Sequence, residues 1–207
     1  MTPTVKVDAS VSDEFQPDIL EVSVYLEEEA ATKQGAVNLY ASSLNAVLAA
    51  VESIGVPRDE VKTGNFSIWR YGATDDRPET YECHGGISFR LPCDEENHRR
   101  VWGAFLDMAP GISVDIDFSL KDRETARETI VGRAVEAGRR RAAALAAATG
   151  CELGGILHVE NEVSRNLGGM DCLARASGDD RRVPVFNPTP IEVSCEVTLE
   201  YELIPRG

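Results

Sequence analysis

The sequence lacks the signatures of several large functional classes. There is no C-x-x-C spacing, no G-x-x-x-x-G-K-[ST] loop and no G-x-G-x-x-G following a strand pattern, so a zinc knuckle and a nucleotide site have no support. No cofactor and no metal are expected. The five cysteines, Cys83, Cys93, Cys151, Cys172 and Cys195, are odd in number and widely spaced. That excludes a disulfide framework and predicts reduced thiols, most of them buried. The longest uncharged stretch, Gln34 to Val51, carries Asn38, Ser42, Ser43 and Asn45 on one side, which a bilayer core would not tolerate. No membrane span is expected. The start, MTPTVKVDAS, lacks a basic segment followed by an apolar run. A cytoplasmic location is therefore expected, or a periplasmic or secreted one if a leader has been removed.

Positive charge is also scarce. Lys and Arg number 21 against 35 Asp and Glu, a net charge of −14 that repels a phosphate backbone. Nucleic acid is excluded as a partner. A chain of 207 residues with 43% hydrophobic and 27% charged residues has the makings of one folded domain rather than a disordered segment.

What is present is a strong period of two. Val5, Val7, Ala9 and Val11 alternate with Lys6, Asp8 and Ser10, and Leu20, Val22, Val24 and Leu26 alternate with polar partners. The same holds for Ile112 to Leu120 and for Ile191 to Leu203, as half-buried strands require. Phe66 to Tyr71, Tyr81 to Leu91 and Ile156 to Val163 read as further strands, with a bulge expected at Gly85-Gly86. Ala36, Val37, Tyr40, Leu44, Val47, Leu48 and Val51 repeat at helical spacing, stopped by Gly55 and Pro57. A second long helix is predicted over Arg123 to Thr149 with Gly150 as its cap, and a shorter one over Asp94 to Met108. The segment from Arg165 to Pro188, rich in glycine, exceeds ordinary connection lengths.

The order of elements suggests an α+β fold of two β-α-β-β units. These form largely antiparallel sheet, covered on one face by two long helices, with the shorter helix between the units.

Several stretches together resemble the SIMPL-domain family, which includes the bacterial YggE-like proteins and a periplasmic immunogenic protein. They are Pro17-Asp18 before the Leu20 strand, Gly55-Val56, Val61-Lys62-Thr63 leading to Phe66-Ser67-Ile68 and Tyr71, and the aromatic Tyr81 at a strand start. Gly111-Ile112-Ser113-Val114, Asp117-Phe118-Ser119-Leu120 and the alanine-rich helix through Ala134, Ala137, Arg141, Ala142 and Leu145-Ala146 follow, ending in Gly150 and Leu153-Gly154. The resemblance covers nearly the whole chain. It implies an α+β fold in one domain over residues 1–207, within which the element order above sets pseudo-repeat halves at about 19–91 and 112–203, joined by the helix at about 94–108. It also implies homo-oligomers, a link to oxidative-stress tolerance, protein partners such as the signalling kinase bound by an animal member, and no established reaction.

Candidate chemistry is sparse. Only three histidines occur, His84, His98 and His158, in three separate elements. Cys83 and His84 are adjacent on a strand, where neighbours point to opposite faces, so they do not read as a nucleophile and its base. Asp115 and Asp117 share one face of a strand, a spacing compatible with paired acid-base chemistry or a hard cation, but they read first as the polar positions of a half-buried strand, in line with Ser113 and Ser119. The acidic row Glu192, Glu196, Glu200 and Glu202 reads as a solvated face. Arg139, Arg140 and Arg141 span most of a helical turn and cannot form one anion patch.

Three readings of function follow. The first is a non-enzymatic homo-oligomeric assembly or interaction module, docked through loop arginines Arg165, Arg175, Arg181 and Arg182. The second is a small-molecule binding protein or hydrolase with a site between the halves near Asp115, Asp117 and His84. The third is a thiol-based stress sensor acting through Cys172.

Overall fold

A computed structural model describes residues 3–74, 78–106, 108–109, 111–166 and 186–206. In chain order the elements are β1 (Thr4–Phe15), β2 (Ile19–Ala30), α1 (Lys33–Ser53), a 3-10 turn (Arg58–Glu60), β3 (Lys62–Thr63), β4 (Ser67–Tyr71) and β5 (Thr80–Pro92). After these come α2 (Glu95–Phe105), β6 (Ile112–Ser119), α3 (Arg123–Ala148), β7 (Cys151–Asn166) and β8 (Ile191–Pro205). All strand pairs are antiparallel and fall into two sheets, so the fold is α+β as the pattern predicts.

The chain divides into two compact units, each with its own core. The first unit is drawn from the two ends of the chain: Met1–Gln16, Leu120–Met170 and Thr189–Gly207. Its sheet runs β1-β8-β7. The alternation that marked β1 and β8 as strands sends Val7, Ala9, Val193, Cys195, Val197 and Leu199 to one face, where they pack with Ile130, Ala134 and Ala142 of α3. The face of α3 is built from Ala126, Ile130, Ala134, Gly138, Ala142 and Ala146, nearly all small. A Cβ added at Gly138 would stand 2.6 Å from Leu199 Cδ1, so this glycine sets how closely the helix meets the sheet. Asp122 caps the helix by accepting from the Thr125 N–H at 2.9 Å, and Gly150 ends it at φ +72°. Arg141, one of the three consecutive arginines, donates to the Asp8 carbonyl of β1.

The second unit, Pro17–Ser119 with Asp171–Pro188, holds the sheet β3-β5-β2-β6, with β4 also paired to β5. Leu20, Val22, Val24, Leu26, Cys83, Ile87 and Phe89 line one face against Ala36, Tyr40, Val47 and Val51 of α1 and against Val101 and Phe105 of α2. Thr32 caps α1 by accepting from the Gly35 N–H, and Asp94 caps α2 by accepting from the Asn97 N–H. Gly55, at φ +86°, lets the chain turn away after α1.

Two expectations change. The sheets do not divide where a head-to-tail pair of β-α-β-β units would place the boundary: β6 pairs with β2, and β1 takes the place beside β8. The strand patterns of β1 and β6 are equally good, and only partner choice separates them. The bulge expected at Gly85-Gly86 is not there. The β2–β5 register runs unbroken from Ile19↔Pro92 to Ala30↔Tyr81, passing Tyr25↔Gly86 and Leu26↔Gly85. These glycines serve close approach instead, since a Cβ at Gly85 would meet Tyr40 Oη at 2.1 Å and one at Gly86 the Val24 carbonyl oxygen at 2.5 Å. The irregularities recorded lie in β7, between Leu153 and Ile156, across Gly154-Gly155, and between Ile156 and His158.

Ile130 is fully buried in the first core. Ile130→Ala is expected to destabilise the protein by about 2–5 kcal/mol through lost burial and a residual cavity. The measurement is the urea midpoint with unchanged slope, and Leu145→Ala at an exposed site of the same helix should move it by less than about 0.5 kcal/mol.

Candidate functional site

The face of the second unit's sheet that α1 does not cover carries the polar half of each strand's alternation. Reading across from the register, Glu21, Ser23, Tyr25, Glu27 and Glu29 of β2 stand between Arg90, Ser88, Gly86, His84 and Glu82 of β5 on one side and Asp117, Asp115 and Ser113 of β6 on the other. A concave site of about 720 Å³ opens on this face, lined by residues that include Tyr25, Glu27, Thr63, Asn65, His84 and Ser113. The backbone is drawn tight around it, with the Gly64 N–H donating to the Gly86 carbonyl at 2.8 Å.

At one end of this site three titratable side chains converge. The His84 imidazole places Nε2 3.0 Å from Glu82 Oε1 and Nδ1 4.0 Å from Glu27 Oε2. A donor atom of each of the three lies within 4.8 Å of the other two, and interaction with the neighbouring Glu82 carboxylate holds the Glu27 pKa above the ordinary carboxylate value. Glu82 is the most sheltered of the three, its side chain 13% exposed. Among the described residues neither glutamate has a lysine or arginine partner.

His84, named from the sequence, therefore does sit in a site. Asp115 and Asp117 do not join it: they share the same open face, as their spacing predicts, but stand opposite Ser23 and Glu21, and neither lines the cavity. The residues that do join His84 are Glu27 and Glu82, which the sequence reading passed over. The signal for Glu82 was its i, i+2 spacing to His84 on one strand. Glu27 could be found only from the cross-strand register, which sets it directly opposite His84.

Cys83 is fully buried on the opposite face from His84, as expected of adjacent strand residues. Burial raises the thiol pKa of Cys83, of Cys195 and of Cys93, the last to about 11 with help from Asp94 and Asp18. None of these three is poised as a thiolate nucleophile at neutral pH. Cys172, Arg175, Arg181 and Arg182 lie outside the described residues. Arg165 lies in β7, where its backbone pairs with Val193.

Next to the site, β4 is tied to β5 by a polar network. Arg70 holds Glu79 through two bonds, 3.1 and 2.8 Å, and the Tyr81 hydroxyl donates to the same carboxylate at 2.7 Å. These contacts lower the Glu79 pKa from 4.5 to about 2, with the Arg70 hydrogen bond the largest cause. Because the folded pKa lies below the ordinary one, the stabilisation is complete above that ordinary value and is lost as the pH falls through the lowered one. Arg70→Met is expected to raise the Glu79 pKa towards the normal carboxylate range in a carboxyl NMR titration, with the Tyr81 hydrogen bond still holding it below that range. An unchanged Glu79 titration would show that Arg70 is not the cause.

Comparison with known proteins adds a family but no activity. The chain is similar to a crystal structure of an unknown protein from Galdieria sulphuraria at 11% identity, over 90% of this chain and 84% of that one, with a TM-score of 0.21. A search of the curated proteins gives no match. The SIMPL family model, described as a protein of unknown function (DUF541), matches residues 5–201. With that match spanning both sheets, the chain belongs to the SIMPL family.

Proposed function

We propose that this protein is a non-enzymatic, homo-oligomeric assembly module whose working surface is the free edge of β7. The observation that carries this is the edge itself. Among the described residues β7 ends the β1-β8-β7 sheet, and it is 16 residues long. It contains neither lysine nor proline, the residues that commonly block edge pairing. Ile156, Leu157 and Val159 are each at least half exposed along it. Exposed backbone donors and acceptors beside apolar side chains form a template for another strand.

A second copy of the chain is the partner this edge suits. Antiparallel pairing centred on Val159 would set His158 of one copy against Glu160 of the other, and the two-fold symmetry would close the assembly as a dimer by covering both β7 edges, with β1 ending the joined sheet on each side. Arg165 at the end of β7, with Arg175, Arg181 and Arg182 of the sequence that follows it, would add docking contacts to an acidic body. The resemblance that implies oligomers also implies stress tolerance as the physiological setting.

A small-molecule or hydrolytic role is the second reading, favoured by the cavity beside His84. The thiol-sensor reading rests on Cys172 alone.

Light scattering of the full chain and of the double variant Ile156→Lys, Val159→Lys tests the assembly. Both positions are exposed in the protomer, so the variant should keep its far-UV circular dichroism. The expected result is a defined oligomer for the natural sequence and a single-chain mass for the variant. A monomer in both, at low and high salt, overturns the proposal, and an oligomer unchanged by the substitutions overturns the assignment to β7.

A further inference from the structure

We propose that Glu27, Glu82 and His84 form a binding site for a divalent transition-metal ion of the Zn²⁺ type on the open face of the second unit's sheet. One donor atom from each of these three side chains lies within 4.8 Å of the other two. Two ligands bound about 2.1 Å from one ion, at tetrahedral or octahedral angles, stand roughly 2.9–3.4 Å apart. The His84 Nε2 to Glu82 Oε1 distance of 3.0 Å falls in that range. Two of the three ligands are thus already at chelating separation.

The chemistry of the donor set decides the class of ion. One imidazole with two carboxylates suits Zn²⁺, Mn²⁺ or Co²⁺ better than the all-oxygen shells preferred by Mg²⁺ and Ca²⁺ or the thiolates sought by Cu⁺. Electrostatics supports an ion at this point. Two carboxylates have been brought together with no lysine or arginine against them among the described residues, and Glu29 adds to the negative field at Glu27. A dication between them removes the repulsion.

Mechanical placement also fits. His84 and Glu82 lie on β5 and Glu27 on β2, adjacent strands in an unbroken ladder, so the backbone positions are fixed in advance. Only the Glu27 side chain, 66% exposed, has to swing inward to complete the triad. Three protein ligands leave coordination positions that face the cavity, the open arrangement that presents a water or an anionic ligand rather than a closed structural site.

The test titrates the full-length protein with ZnCl₂ by calorimetry and with Co²⁺ by absorption. The expected result is one Zn²⁺ per chain, with affinity falling about tenfold or more in His84→Ala and in Glu82→Gln. The Co²⁺ spectrum should show no sulfur-to-metal charge-transfer band. A readout that needs no variant accompanies it: of the three histidines, His84 should be the one whose ring NMR signals broaden with substoichiometric Mn²⁺ or Co²⁺. No Zn²⁺ binding overturns the proposal. So does binding of unchanged affinity in His84→Ala, a thiolate band pointing to the cysteines, or broadening confined to His98 or His158.

Discussion

The register of β2 against its two neighbours is the constraint on which the second unit depends. Twelve residues of β2 pair with β5 without interruption, and eight of them pair with β6 on the other side. Because side chains alternate with period two, this register alone puts Leu20, Val22, Val24 and Leu26 under α1 and leaves Ser23, Tyr25 and Glu27 on the open face. A slip by one residue would expose four of the largest buried side chains and scatter the Glu27, Glu82 and His84 cluster. Core and candidate site are therefore two faces of one pairing. The glycines at 85 and 86 keep it intact, because any side chain there would strike Tyr40 or the Val24 carbonyl.

The first unit solves the same problem with different materials. Its helix presents four alanines, Gly138 and a single large side chain, Ile130, to the sheet, so α3 lies close to it. β8, held on both sides, buries six residues in strict alternation. Among the described residues β7 lies at the margin of that sheet, and Ile156, Leu157 and Val159 remain accessible there.

Charge is arranged to keep the open faces wet. The polar row of β8 comprises Glu192, Glu196, Glu200 and Glu202, and the row of β6 carries Asp115 and Asp117, consistent with a chain of net charge −14. Most acids sit in exposed rows or in simple pairs such as Arg90 with Glu21. Glu27 and Glu82 break that pattern by facing each other. Cys83 and Cys195 follow the opposite logic: buried, with their thiol pKa values raised by that burial, they behave as small apolar residues, one in each core.

Local periodicity is enough to read the elements. Alternation in β1, β2, β6 and β8, helical spacing from Ala36 to Val51, and stops at Gly55 and Gly150 all belong to short windows of chain, where side-chain direction follows from backbone geometry. The α+β class, the burial of Cys83 beside a more exposed His84 and the open-face position of Asp115 and Asp117 follow from the same windows. Partner choice between distant strands does not. β1 and β6 carry interchangeable patterns, yet β1 pairs with β8 and β6 with β2, and Gly85-Gly86 reads locally as a bulge although its neighbours Tyr40 and Val24 require it for contact. Glu27 likewise becomes a neighbour of His84 only once the register of residues 57 positions apart in the chain is set. The sequence by itself determined which residues face water and which face oil. Tertiary structure alone decided which of the water-facing ones meet, because that depends on contacts no short window contains.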